Sequence, residues 1–166
     1  RAAMPGVPHG NSNAASLNTG KCVGCGECLT VCGPKAGSLD RRTEIAPFNE
    51  RMAEYAYGAV RGKEKNIGFI NFLINITPDC DCVPWSDAPL VPDIGILAST
   101  DPVALDSACF DLVKQAPGHG HSQLQTGHAP GEDKFAGAWK HTCGAVQLDH
   151  AEKIGLGTRD SELISL

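Results

Sequence analysis

The fold is decided by residues 93–118, DIGILASTDPVALDSACFDLVKQAPG. This stretch begins with a short apolar run, 93–99, that predicts a buried strand. Asp101 can cap a helix through its side-chain oxygens, and Pro102 suits the first helical position, so we expect a helix to follow. Pro117 marks the end of that helix. The stretch is therefore interpreted as a strand–helix unit, with Asp101 as its cap or, alternatively, as a ligand at the end of the strand.

Two segments before this unit predict another strand and another helix. Residues 66–77, NIGFINFLINIT, are almost continuously apolar and predict a strand that is buried on both faces of a layered sheet. Residues 46–62 have the helical period and predict a helix. The apolar stripe expected to face the core on that helix is formed by Phe48, Met52, Tyr55 and Ala59.

The end of the chain predicts one more helix and one more strand. Residues 144–157 read as a helix that Gly155 ends, and residues 162–166, ELISL, as a short strand. Strands and helices that alternate along the chain are typical of layered α/β proteins. The predicted fold class is therefore α/β, with α+β as the alternative, in the form of a layered sheet with helices.

Composition and charge argue against two classes of partner. The chain has 166 residues, a formal net charge of -5 and no Lys/Arg block, so nucleic-acid binding is not expected. The longest apolar run, IGFINFLINI at 67–76, has only ten residues and includes two Asn, so no membrane span is expected. The eight cysteines are interpreted as thiols of a reducing cytoplasm, available for metal binding, rather than as disulfides.

A cluster of thiols lies in residues 21–34, KCVGCGECLTVCGP. A zinc site usually takes its ligands from two separated Cys-x-x-Cys pairs, whereas this spacing matches that of bacterial ferredoxins. Gly24 and Gly26 lie between the thiols, where a Cβ would crowd a cluster and where a positive φ is useful. The run therefore predicts a ferredoxin-like loop that binds a [4Fe–4S] cluster through Cys22, Cys25, Cys28 and Cys32.

The other four cysteines allow a second cluster, because two cubanes need eight thiols. Cys32 either closes its own cluster or, as in two-cluster ferredoxins, belongs to the other one. Cys80 and Cys82 are predicted metal ligands, because alternate side chains of an extended segment face the same way, and the alternative is that they are buried apolar thiols at the end of a strand. Cys109 is interpreted as a core residue, and Cys143 as either a ligand or a residue preceding a helix.

The histidine-rich segment 118–133 is interpreted as a solvated loop, although a metal site there is the alternative. Its histidines are His119, His121 and His128.

Four segments resemble the C-terminal half of a family of uncharacterised iron–sulphur proteins. This family joins ferredoxin-type motifs to a domain of unknown function (family three hundred and sixty-two). The resemblance extends from Lys21 to the end of the chain. The segments are NFLINITPDCDC at 71–82, SDAPLVPDIGILASTDPVALDSACFDLV at 86–113, EDKF at 132–135 and HAEKIGLG at 150–157.

The resemblance implies a cytoplasmic, anaerobe-associated protein that binds [4Fe–4S] and moves electrons. Members of the family usually run to about twice this length and carry two ferredoxin motifs in tandem, whereas only the second is matched here, which leaves open whether this chain is a fragment. The fourth cysteine is usually followed directly by proline, whereas Gly33 precedes Pro34 here.

Three functions follow in order of preference. The first is electron transfer to a redox partner protein through one [4Fe–4S] cluster, or through two. The second is a cluster-dependent reductase that uses Cys80 and Cys82, and the third is a structural domain held together by a metal. The predicted organisation is an arm at 1–20, an iron–sulphur segment at 21–40 and an α/β domain at 41–166, with homo-oligomer formation left open.

Overall fold

The computed structural model describes residues 2–3, 21–22, 26–32, 38–39, 44–80 and 82–165. The chain divides into two compact units, Arg1–Thr43 and Glu44–Leu166. In chain order the helices and strands are β1 (Ala2–Ala3), α1 (Glu27–Val31), β2 (Ser38–Leu39), α2 (Ile45–Val60), β3 (Phe69–Leu73), β4 (Gly95–Ser99), α3 (Pro102–Gln115), α4 (Lys134–Ala138) and α5 (Gly144–Lys153).

The two units contain different elements. In the first unit β1 pairs antiparallel with β2, and α1 lies between these strands along the chain. In the second unit α2 to α5 accompany the antiparallel pair β3–β4. This combination of helices with a small antiparallel sheet confirms the predicted mixed class. Over the described residues, every helix is too short or too polar to cross a membrane.

The sheet β3–β4 has one packed and one exposed face. The strands pair antiparallel, with Phe69 opposite Ser99 and Leu73 opposite Gly95. Helix α3 packs against both strands. Burial alternates along each strand, and Ile70, Phe72 and Ile96 are 60%, 65% and 58% exposed. The prediction of burial on both faces is therefore wrong, because α3 covers one face of an antiparallel pair and the period of two turns every second side chain away from it.

Helix α3 begins and ends where the sequence predicts. The carboxylate of Asp101 accepts hydrogen bonds from the backbone N–H groups of Val103 and Ala104, at 2.8 and 3.0 Å, so its predicted role as the cap is confirmed. The helix ends at Gln115. Its buried face joins the main core of the second unit, which consists of Leu73, Leu90, Val91, Leu105, Cys109, Val113, Leu124 and Ala138.

Helix α2 packs on α5 with a different face from the predicted one. Its buried residues are Ala53 and Val60, and Ala53 forms a small core cluster with Val103 of α3 and Ala151 of α5. The predicted stripe is exposed, most of all at Tyr55, of which 84% is accessible. Two facing alanines let helix backbones approach closely, and this contact turns the large apolar side chains of α2 outwards.

Helix α5 ends in a Schellman motif. Gly155 has φ 79°, a left-handed conformation that glycine adopts without strain. The N–H groups of Gly155 and Leu156 donate to the carbonyls of Glu152 and Ala151, both at 3.0 Å. The predicted end of the helix is therefore confirmed, whereas residues 162–165 of the predicted tail strand have no strand structure, so that prediction is wrong for them, and Leu166 lies outside the described residues. These four residues are exposed, and an exposed segment without a pairing partner gains nothing from extended pairing.

The loop after α3 is fixed by a buried lysine. The Lys134 side chain has 0% exposure. Its ammonium donates to the carbonyls of Lys114, Ala129 and Glu132, at 2.7, 2.6 and 3.0 Å. Burial lowers the pKa of Lys134 from its ordinary value, but only the protonated form has three N–H groups for three acceptors. This lysine therefore joins the end of α3, the loop and the start of α4.

Replacing Lys134 with methionine should destabilise the second unit. Lys134→Met keeps the apolar stem but leaves buried carbonyls without their charged donor, so the free energy of unfolding should fall by about 3 kcal/mol. Urea denaturation followed by circular dichroism measures the change. Lys140→Met removes a lysine from an exposed position and should change stability by less than about 0.5 kcal/mol. Equal stability of the two variants would contradict this role.

Asp101 joins the start of α3 to the end of the chain, so its loss should also destabilise the fold. The carboxylate accepts a third hydrogen bond, at 2.9 Å, from the backbone N–H of Thr158. Asp101→Ala removes all three bonds and should cost about 2 kcal/mol in thermal or urea unfolding. Asp101→Asn retains one acceptor oxygen for the cap and should cost clearly less. Wild-type stability of Asp101→Ala would show that the cap is dispensable.

Candidate functional site

The thiol-rich segment of the first unit is described in part. Cys22, Cys28 and Cys32 are each half-buried, and Cys25 lies outside the described residues. Cys28 is inside α1, and Cys32 is its C-cap residue, one helical turn further on. Residues four apart lie on the same side of a helix, so these two thiols belong to one side of α1.

Gly26 sets the direction of the chain before α1. It has φ 77° and ψ -3°, the left-handed conformation, and is the N-cap residue of the helix. The N–H of Leu29 donates to its carbonyl at 2.9 Å. The positive φ expected for a glycine between two of the thiols is therefore present at Gly26, while Gly24 lies outside the described residues. A residue with a Cβ would be strained in this conformation.

The described residues form no complete set of metal ligands. Across the ranges that the structure describes, no three His, Cys, Asp or Glu side chains lie close enough together to hold a metal ion. One of the four predicted cluster ligands, Cys25, is outside those ranges. The ligand assignment of Cys22, Cys25, Cys28 and Cys32 therefore stays a prediction from their spacing.

Cys80 and Cys82 lie in a turn rather than in an extended segment. The N–H of Val83 donates to the carbonyl of Cys80 at 3.2 Å, and the N–H of Cys82 donates to the Cys80 sulphur at 3.4 Å. Both residues are exposed. The expectation of an extended backbone is thus wrong, because the hydrogen bond from the N–H of Val83 to the carbonyl of Cys80 closes a turn. Metal binding by the two thiols stays a prediction.

Cys109 and Cys143 are placed by packing between elements. Cys109 is 8% exposed in the main core, which confirms it as a core residue. Cys143 is half-buried at the start of α5, and the Asn49 side-chain amide donates to its carbonyl at 3.1 Å and to its sulphur at 3.4 Å. Cys143 therefore takes part in the contact between α2 and α5.

The histidine-rich segment is an exposed loop, as predicted. His119, His121 and His128 are all exposed. Its backbone is nevertheless well held, since the N–H of Gly118 donates to the carbonyl of His128 at 2.8 Å and Leu124 is buried in the core. The loop thus serves to close the core between α3 and α4.

A cavity of about 380 Å³ lies between β3, α3 and α5 in the second unit. Three polar side chains line it, from Asn71, Asp106 and Gln147. The Asn71 amide donates to Asp106 at 2.7 Å and to the Cys109 sulphur at 3.5 Å. This polar group was not predicted from the sequence, although a polar Asn in the middle of an apolar strand was a visible signal. Such a residue needs a buried partner.

Burial changes the chemistry of the Cys109 thiol, which also lines the cavity. Desolvation raises its pKa above the ordinary value, the Asn71 hydrogen bond partly offsets this, and the nearby Asp106 charge adds to it. A buried thiol with a raised pKa is protonated at neutral pH and is a poor nucleophile. The residue is therefore suited to packing rather than to attack on a substrate.

Cys109 should resist alkylation in the folded protein. With iodoacetamide at about pH 8, where an ordinary thiol is partly ionised, the Cys109 peptide should stay unmodified in the native chain and become modified in denaturant. Peptide mass spectrometry measures both states. Labelling at the same rate with and without denaturant would show that the thiol is accessible.

Comparison with known proteins identifies one family. A family described as a domain of unknown function (DUF362) matches residues 6–111, which is more than half of the chain. No curated protein and no solved structure gives a significant match.

The matched residues include the thiol-rich segment, β3, β4 and most of α3. The match begins before Lys21, where the resemblance was expected to start, and it ends at residue 111, so a likeness over 112–166 stays a prediction. The chain belongs to the DUF362 family.

Proposed function

We propose that this protein binds a [4Fe–4S] cluster through Cys22, Cys25, Cys28 and Cys32 and transfers single electrons between partner proteins. The observation that carries the proposal is the spacing of these thiols, two, two and three residues apart, in a segment interrupted by glycines. Such a spacing is the one by which bacterial ferredoxins hold a cubane. When bound, the cluster supplies reversible one-electron reduction.

The donor set fits this group chemically. Thiolates are the ligands that iron–sulphur clusters take, and four of them lie within residues 22–32. The three described thiols are half-buried, which limits access of water and oxygen while leaving a path for electrons to a docked protein. Gly26, in its left-handed conformation, brings the chain into α1 without a Cβ beside the thiols.

Cys32 has two alternative roles in this proposal. Its place on the same side of α1 as Cys28 is compatible with both thiols binding one cluster. In two-cluster ferredoxins the corresponding cysteine binds the second cluster instead.

Visible spectroscopy of anaerobically purified protein tests the proposal. The wild type should have a broad brown absorbance that dithionite bleaches, and Cys28→Ser should lose most of it if one cluster is present and about half of it if two are present. Cys80→Ser/Cys82→Ser is the matched control, since it also removes thiols but from the other unit. If one cluster is present, this double variant should keep the wild-type spectrum, and if two are present it should lose about half of the absorbance.

Two results would contradict electron transfer. A colourless protein that contains zinc would favour a structural metal that holds the first unit together. A coloured protein that dithionite and voltammetry fail to reduce would likewise indicate a structural cluster without a redox role. Full retention of the bleachable absorbance in Cys28→Ser would show that the ligands lie elsewhere.

A further inference from the structure

The cavity of the second unit has walls that favour an aromatic guest. Its volume, about 380 Å³, is within the usual range of small-molecule sites. Phe110 and Phe135 line it with stacked rings, whose centroids are 5.6 Å apart with an angle of 10° between the planes, and Phe72, which is 65% exposed, lines it as well. Ring faces carry negative electrostatic potential and attract cations as well as other rings.

The polar groups of the cavity are arranged around one negative charge. Asp106 is the single acidic or basic side chain among the described residues that line it. One of its oxygens accepts a hydrogen bond from the Asn71 amide at 2.7 Å, which orients the carboxylate. Within the described chain its other oxygen has no hydrogen-bond donor, nor does the Gln147 side chain have a partner. An incoming N–H group can therefore be accepted without breaking an existing bond.

One positive charge, that of Lys114, already lies against a ring of the lining. Lys114 lies over the Phe110 ring, 5.4 Å from its centroid, but it is not a lining residue and forms an ion pair with Asp111 at 3.9 Å. Cys109 is buried beside the Asn71 amide and contributes a neutral thiol. A half-buried carboxylate with aromatic walls and amide groups is a combination that recognises ammonium compounds.

We propose that this cavity binds a small organic cation, namely an aromatic or apolar body that carries a primary ammonium group, with Asp106 as the counter-ion, Asn71 as the residue that orients it and the phenylalanine rings as the walls. The described residues that line the cavity all belong to the second unit, and the proposal goes beyond the electron transfer proposed above. It does not depend on a cluster being present.

Isothermal titration calorimetry with three compounds of similar shape tests the charge preference on the full chain. The probes are 2-phenylethylammonium, the neutral 2-phenylethanol and the anionic 3-phenylpropionate. The ammonium compound should bind about tenfold more tightly than the alcohol, and the carboxylate should be the weakest of the three. Because this comparison uses the unmodified protein, its outcome does not depend on whether any variant folds.

Two variants on α3 then locate the site. Asp106→Asn keeps an acceptor for Asn71 but removes the charge, so the preference for the ammonium compound over the alcohol should fall from about tenfold to about twofold or less. Asp111→Asn is the matched control, because it removes the same charge from an exposed position on the same helix, outside the cavity lining. It should leave the preference unchanged.

Three outcomes would overturn the proposal. Equal affinity for the ammonium compound and the alcohol would show that the cavity is apolar only. An equal loss in Asp106→Asn and Asp111→Asn would indicate general surface attraction by an acidic protein. Absence of binding by all three compounds up to about 10 mM would show that no site of this kind exists.

Discussion

The second unit depends on the hydrogen bonds that the carboxylate of Asp101 accepts. This carboxylate accepts two hydrogen bonds from the first turn of α3 and a third from Thr158 near the end of the described chain. It thereby sets where α3 begins. From that start the helix contributes Val103 to the cluster shared with α2 and α5, and Cys109 to the main core. The same helix brings Asp106 to the cavity.

Local signals in the sequence were sufficient to predict helix ends and turns, where the backbone conformation requires a particular type of residue. Asp101 and Pro102 predicted the start of α3, and Gly155 predicted the end of α5, because caps and left-handed turns depend on neighbouring residues alone. Gly26 belongs to the same class. The burial of Cys109 could also be predicted, since a small apolar residue inside a helix is usually packed.

Features that depend on contacts between distant segments were not predictable in this way. The apolar stripe of α2 predicted the wrong buried face, because the close contact of Ala53 with Ala151 decides the orientation. The continuous apolar character of 66–77 could not reveal how many layers cover the strand. No pattern in the sequence indicated that the Lys134 side chain would donate hydrogen bonds to three backbone carbonyls. The cavity around Asn71 and Asp106 likewise depends on pairing across 35 positions.

The two units thus carry different kinds of chemistry. The first has thiols and glycines in a short segment, where spacing along the chain determines what can be bound. The second has a packed core and an open cavity in which polar side chains lie beside phenylalanine rings, so the tertiary fold determines what can be bound. The match to the DUF362 family covers residues of both units. The proposals of electron transfer and of cation binding can therefore succeed or fail separately.

The most direct test of the central claim is elemental analysis of the protein purified without oxygen. Iron, acid-labile sulphide and zinc are measured per chain in one sample. The account predicts about four irons and four sulphides per chain, with no zinc. Zinc alone, or a chain that contains neither metal and has its Cys22–Cys32 thiols joined in disulfides, would contradict it.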